Sequence, residues 1–306
     1  MSSRFSKTVA AAAAALTAAL CLGGTASATP PDPAGTARQG PGPVPSGLSG
    51  LAQVAAGTSH AVALKADGTV AAWGEDTVHE IDVPGGLAQV VQVAASADHS
   101  VALRADGTVA AWGANDYGQS SVPSGLNGVT SVSAGLDHTL ALKSDGTVVS
   151  WGSDARPPTG LGGVAEVSAG WLNDVALKDD GTVATWGTTA TSPPAGLKDV
   201  VQVAAGWDFD VALKADGTVV AWGNNQEGQL KVPAGLAHVR SIAAGFGFAL
   251  ALKSDGTVAA WGANDSGQAS PPGDLRGVRS LAAGTVSALA LKADGTVASW
   301  GRAQTG

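Results

Sequence analysis

Cysteine is all but missing from this 306-residue chain: the only one, Cys21, lies in an apolar N-terminal run, and the only methionine is Met1. Disulfides and thiol chemistry are therefore excluded from everything downstream. Basic residues are also scarce, with 17 Lys and Arg against 25 Asp and Glu. Phosphate binding needs clustered cations, so no nucleic-acid partner is expected. Long apolar runs are lacking too. The longest, Val9 to Leu22, falls short of the roughly 18 residues of a spanning helix, so no membrane anchor is expected. Aromatic residues beyond tryptophan are rare, with one Tyr and four Phe, so any clustering of them stands out.

What is present begins with a secretory pattern. Arg4 and Lys7 precede the apolar run, and Ala26-Ser27-Ala28 offers a small-residue cleavage site, so residues 1–28 read as a signal peptide and the mature protein as secreted and extracellular. Its loss takes the basic count from 17 to 15 and the net charge to about −10. Residues 29–40 are rich in Pro and Gly and read as a disordered leader. Residues 41–306 read as one domain.

That domain is organised by an octapeptide. Asp67-Gly68-Thr69-Val70-Ala71-Ala72-Trp73-Gly74 recurs in varied form from Asp106, Asp145, Asp180, Asp216, Asp255 and Asp294. Its tryptophans (Trp73, Trp112, Trp151, Trp186, Trp222, Trp261 and Trp300) follow one another at 39, 39, 35, 36, 39 and 39 residues, which indicates a closed repeat architecture. Each unit offers an inner strand (Val54-Ala55-Ala56), a middle strand (Val62 to Lys65), an Asp-Gly turn expected to be type I′, and an outer strand ending in Trp-Gly. The connector, such as Ser121-Val122-Pro123, suggests a fourth, edge strand. The expectation is an all-β, seven-bladed β-propeller of four-stranded antiparallel blades. Val44-Pro45-Ser46-Gly47-Leu48 matches the connector Val122 to Leu126, so an N-terminal outer strand beside Val297 to Trp300 is expected to close the ring.

In a repeat protein the informative positions are those where one copy departs from the rest. The loop between inner and middle strands contains His60, His99 and His138 in the first three units, but Trp171 with Asp174, then Trp207-Asp208-Phe209-Asp210, then Phe246 with Phe248, in the next three. Inner-to-middle loops share a face with the connectors, so these eight aromatic and acidic residues are expected to form an arc suited to partner binding. The competing reading packs the rings inward in place of His, and it applies best to Phe209 and Phe248, which stand at the His position itself. The connectors at 153–158 and 188–194 are short, which would leave the arc less covered. The histidines are read as bonding within their own blades and the Asp67-type carboxylates as turn formers, so no metal or cofactor is expected.

Trp112-Gly113-Ala114-Asn115-Asp116-Tyr117-Gly118-Gln119, with its counterparts from Trp222 and Trp261, and Gly-x-x-His at Gly57 to His60 and Gly135 to His138, resemble the regulator of chromosome condensation repeat family across residues 43–301. The resemblance implies a propeller and leaves activity open. The Gly-Gln-x-x-Val-Pro connectors, at Gly118 to Pro123 and Gly228 to Pro233, are also similar to those of secreted β-lactamase-inhibiting propellers of actinobacteria, which bind their enzymes through loop aromatics on one face. The resemblance therefore implies a secreted, monomeric, non-enzymatic propeller whose partner is another protein, such as a β-lactamase or penicillin-binding-type enzyme. A glycan or cell-wall binding module is the alternative. A propeller hydrolase or lyase is a further one, although no nucleophile–base pair stands out from the repeats.

Overall fold

A computed structural model describes residues 40–153 and 156–302; the signal segment and the leader up to residue 39 lie outside the described residues. Seven antiparallel sheets occupy residues 51–74, 90–113, 129–152, 164–187, 200–223, 239–262 and 278–301, here blades 1 to 7. Each runs inner, middle, outer in chain order. The inner strand of blade 1 packs against the inner and middle strands of blade 7, so the seven sheets form a closed propeller. No helix among the described residues is long and apolar enough to cross a membrane.

The blades have three strands, not the four expected. After blade 2 the connector makes only local turns, with Ser121 N–H bonding Gly118 O and Leu126 N–H bonding Pro123 O. Proline has no N–H to give a ladder, and a chain folded into successive turns cannot present one. The apolar positions that suggested a strand are still used: Val122 and Leu126 pack against Val101, Leu103 and Val109. The N-terminal outer strand is absent for the same reason. Val44 and Leu48 lie in a turn-forming segment, where they pack in the cluster that joins Leu289, Leu291 and Val297 of blade 7 to Leu51, Val54 and Trp73 of blade 1.

The Asp-Gly turn also differs from expectation. Gly68 N–H bonds Lys65 O, and Lys65 N–H bonds Thr69 O, while positive φ occurs at Gly68 (80°) and not at Asp67. This is a three-residue loop, a type I turn closed by a left-handed glycine. Aspartate is selected by its side chain: Asp67 Oδ1 accepts from both Thr69 N–H (2.9 Å) and Thr69 Oγ1 (2.6 Å). All seven turns share this pair of bonds.

Between blades the core is apolar and the inner strands are clasped by polar side chains. The seven Trp-Gly tryptophans are buried among Val and Leu of the preceding blade, which accounts for their regular spacing. Gln53, Gln92 and Gln202 each reach to the next blade and bond both the N–H and the C=O of one residue: Val93, Val132 and Ile242 respectively. Blades 6 and 7 carry Ser241 and Ser280 at that position. There Arg240 and Arg279, one residue earlier, take over, bonding Val278 O and Leu51 O at 2.7 Å each. Gln202→Ala would strand two buried backbone groups of Ile242. A loss of about 2 kcal/mol in urea unfolding is expected; a change within experimental error would show the clasp to be dispensable.

Candidate functional site

The first loop residue of every blade lies near the propeller axis on the face shared with the connectors. Those of blades 2 to 6 (Ala97, Leu136, Trp171, Trp207 and Phe246) form one apolar cluster with Leu172, and those of blades 7 and 1, Thr285 and Thr58, bond each other at 3.1 Å. Backbone bonds tie neighbouring loops together, Trp171 N–H to Gly206 O and Phe246 N–H to Gly284 O. The rings stopper the axis. Trp207 stacks on Phe246 with centroids 4.4 Å apart and planes 9° apart, and Trp171 meets both edge-on at 6.3 and 4.6 Å. Trp171 is buried, 3% exposed, whereas Trp207 and Phe246 are half-buried.

The expected arc is thus narrower than the eight residues proposed for it. Trp171, Trp207 and Phe246 come together. Phe209 and Phe248 are fully buried, each lying beneath the glycine three residues earlier, where a Cβ on Gly206 or Gly245 would strike the ring. Gly57 and Gly135 stand in the same relation to His60 and His138, so these two phenylalanines fill the histidine site. Asp174 and Asp210 are buried as well, and Asp208, nearly so, bonds Asn224 Nδ2 at 2.6 Å.

The histidines bond across blades rather than within them. His60 Nε2 lies 3.0 Å from Ser100 Oγ, His99 Nε2 3.0 Å from Thr139 Oγ1, and His138 Nε2 2.9 Å from Asp174 Oδ1. Asn173 Nδ2 donates to Asp210 Oδ1 at 2.7 Å one blade on. Burial pushes His60 down to about 4 and, with the neighbouring charges of His138 and His60, His99 to about 3. Burial opposes a charge on His138 also, but the charge and hydrogen bond of Asp174 and the charge of Asp137 outweigh it, and the net shift is upward. Asp137, partly buried beside Asp98 and Asp116, is pushed up to about 6 chiefly by desolvation.

Connector length accounts for the two buried aspartates. After blades 1, 2, 5 and 6 a long connector dips over the next blade, and a backbone carbonyl accepts from its tryptophan Nε1: Glu80 O from Trp112, Gln119 O from Trp151, Gln229 O from Trp261 and Gln268 O from Trp300, at 2.8 to 3.0 Å. Ser100 Oγ and Thr139 Oγ1, directly opposite those indoles across the strand pair, donate to the same carbonyls as Trp112 and Trp151. Among the described residues the two short connectors supply no such carbonyl to Trp186 and Trp222, and in both blades the residue opposite the indole is aspartate, Asp174 and Asp210. Over blade 4 the missing dip leaves a cavity of about 560 Å³, lined by Tyr117, Asp137, His138, Arg156, Asp174 and Gly187 among others. Tyr117, the only tyrosine and 48% exposed, was not among the sequence candidates. Its signal was there, because Glu227 and Ser266 hold its place in the sister connectors.

The structure resembles the ectodomain of the Physcomitrella patens receptor kinase CR4 (TM-score 0.73, 21% identity, 83% of this chain and 75% of that one). It also resembles the ectodomain of the Arabidopsis thaliana receptor kinase ACR4 (0.65, 20%, 85% and 100%) and Prp20p of Saccharomyces cerevisiae (0.60, 23%, 72% and 73%). These likenesses establish the fold. No curated protein matches the chain in sequence. The regulator of chromosome condensation (RCC1) repeat matches residues 51–79, 90–119, 129–156, 200–229 and 239–268, so that five of the seven blades are recognised one by one. The chain belongs to the regulator of chromosome condensation repeat family.

Proposed function

We propose that this chain is a secreted, non-enzymatic propeller that binds another protein through the connector-bearing face, with Trp207 and Phe246 as its anchors. The observation that carries the reading is the stacked Trp207–Phe246 pair, half-buried and braced from beneath by Trp171. Large rings held rigidly on a loop face lose little entropy when a partner covers them. Prp20p, a structural neighbour, has described binding to Gsp1p and histones; the present chain carries a net charge of −8. The partner class to test first is an extracellular β-lactamase or penicillin-binding-type enzyme. The glycan reading loses its stacking platform, because Trp171 is buried and one face of Trp207 is covered by Phe246.

The test is titration of the purified chain into a panel of such enzymes, beside the double variant Trp207→Ala, Phe246→Ala. A binding enzyme should lose affinity by about 1,000-fold with the double variant, at about 2 kcal/mol per anchor. Unchanged affinity would move the site away from the axis. A panel with no binder would reject this class of enzyme as the partner.

A further inference from the structure

The four long connectors show what the open cleft over blade 4 is shaped to receive. Each fills its own cleft with a polypeptide turn whose carbonyl caps the indole of the next blade, while a side-chain oxygen of the same residue accepts an N–H two residues earlier: Gln119 from Tyr117, Gln229 from Glu227, Gln268 from Ser266 and Glu80 from Val78. The turns settle on the Trp-Gly glycine as well, since a Cβ on Gly113, Gly262 or Gly301 would meet the Cα of Glu80, Gln229 or Gln268 at 3.2 to 3.3 Å. Over blade 4 the matching glycine, Gly187, is exposed. Trp186 Nε1, a donor, and Asp174 Oδ2, an acceptor, are both buried and have no hydrogen-bond partner among the described residues. Asp174 and Gly187 both line the cavity.

We propose that a turn of the partner polypeptide occupies this cleft in place of the missing connector, with a backbone carbonyl accepting from Trp186 Nε1 and a backbone N–H donating to Asp174 Oδ2. This rests on the protein-binding reading above and deepens it. An orphaned donor and an orphaned acceptor on facing positions call for a group that is both acceptor and donor, which is what a peptide unit offers. The length agrees, because the Trp151–Trp186 spacing is 35 residues against 39 where the cleft is filled, and the partner supplies the residues that the connector lacks. Arg156 and Tyr117 at the rim, with Asp137 and His138 in the wall, give the turn's flanking side chains polar contacts of both signs.

The probe is the acetylated and amidated peptide Asn-Asp-Tyr-Gly-Gln-Ser, the sequence of residues 115–120, titrated into the full chain while the indole N–H resonances are followed by NMR. The Trp186 signal, assigned by its loss in Trp186→Phe, should move saturably at millimolar peptide. The capped indoles of Trp112, Trp151, Trp261 and Trp300 should stay in place. Replacing residues 153–156 by Ala-Asn-Asp-Tyr-Gly-Gln-Ser-Ser, together with Asp174→Thr, fills the cleft internally and should abolish the shift. Asp174→Asn, which keeps an acceptor for His138 and turns the free oxygen into a donor, should weaken the peptide by about tenfold or more even if the filled variant fails to fold. A Trp186 signal that does not move, or that moves equally in Asp174→Asn, overturns the proposal. If the peptide fails while the Trp207–Phe246 variant still loses a partner, the cleft is rejected and the binding face stands.

Discussion

Trp171→Ala is expected to lower the unfolding free energy by about 3–5 kcal/mol, the cost of truncating a large buried ring to Ala. The ring is 3% exposed and sits in one cluster with Ala97, Leu136, Trp207 and Phe246, contributed by four other blades. Its removal would open a void on the axis that no single blade can collapse into, because each inner strand is pinned to its neighbours by side-chain or backbone bonds. Trp207→Ala should cost well under half as much, since part of that ring already faces water. Urea unfolding of the two single variants separates the roles: Trp171 as the brace, Trp207 as the surface it supports. Equal losses would mean that both rings are core, and the anchor assigned to Trp207 would have to be given up.

The periodic part of this molecule was legible because one requirement repeats seven times. Each Asp-Gly-Thr turn uses the same two bonds to Asp, and each Trp-Gly tryptophan fills the same inter-blade gap, so the blade count follows from the spacing. The fourth strand was misread because Val122 and Leu126 are half-buried against the blade, as edge-strand residues would be. Apolar alternation reports which side chains are covered, not whether the backbone beside them makes a ladder. Within the candidate site, strand order places the loops beside the connectors but does not give each residue's distance from the axis. Phe209 begins a strand and points beneath Gly206, whereas Trp207, two residues earlier, stays in the loop; sequence distance alone does not separate them.

Asp174 and Asp210 illustrate a different limit. The shortened spacings at 35 and 36 residues and the two aspartates were both visible in the sequence, but as unconnected oddities. Their link is the carbonyl of the long connectors, which caps the indole in four blades and, among the described residues, is missing over these two and over Trp73, which faces Ala61. Burial strongly raises Asp210, with Asn173 and Trp222 opposing that shift, as expected of a carboxyl placed opposite an indole where Ser, Thr or Ala stands elsewhere. Repeat proteins reveal such compensation only when the copies are superposed in space.

Acid is expected to destabilise the propeller through its buried histidines, and His99→Gln should remove much of the effect. A histidine held below its usual value excludes in the folded state a proton that the unfolded chain binds, so its stabilisation is complete above about pH 6.5 and is lost as pH falls toward the folded value. For His99 that window runs from 6.5 to about 3, and for His60 from 6.5 to about 4. At about pH 4.5 each histidine therefore costs roughly 3 kcal/mol relative to pH 7, at about 1.4 kcal/mol per pH unit. The turn aspartates are held below the carboxylate range by their threonine bonds, so their contribution is lost only in stronger acid. Asp137 and Asp210, raised by burial, run the opposite way and gain as pH falls. His138, raised by its partner Asp174, loses its contribution as pH rises, above this window. Glutamine at position 99 retains a donor for Thr139 Oγ1 but cannot take up a proton. Urea unfolding at about pH 7 and pH 4.5 should then show an acid loss smaller by about 3 kcal/mol in His99→Gln than in the parent chain, and equal losses in the two proteins would show that His99 is hydrated or protonated in the folded state.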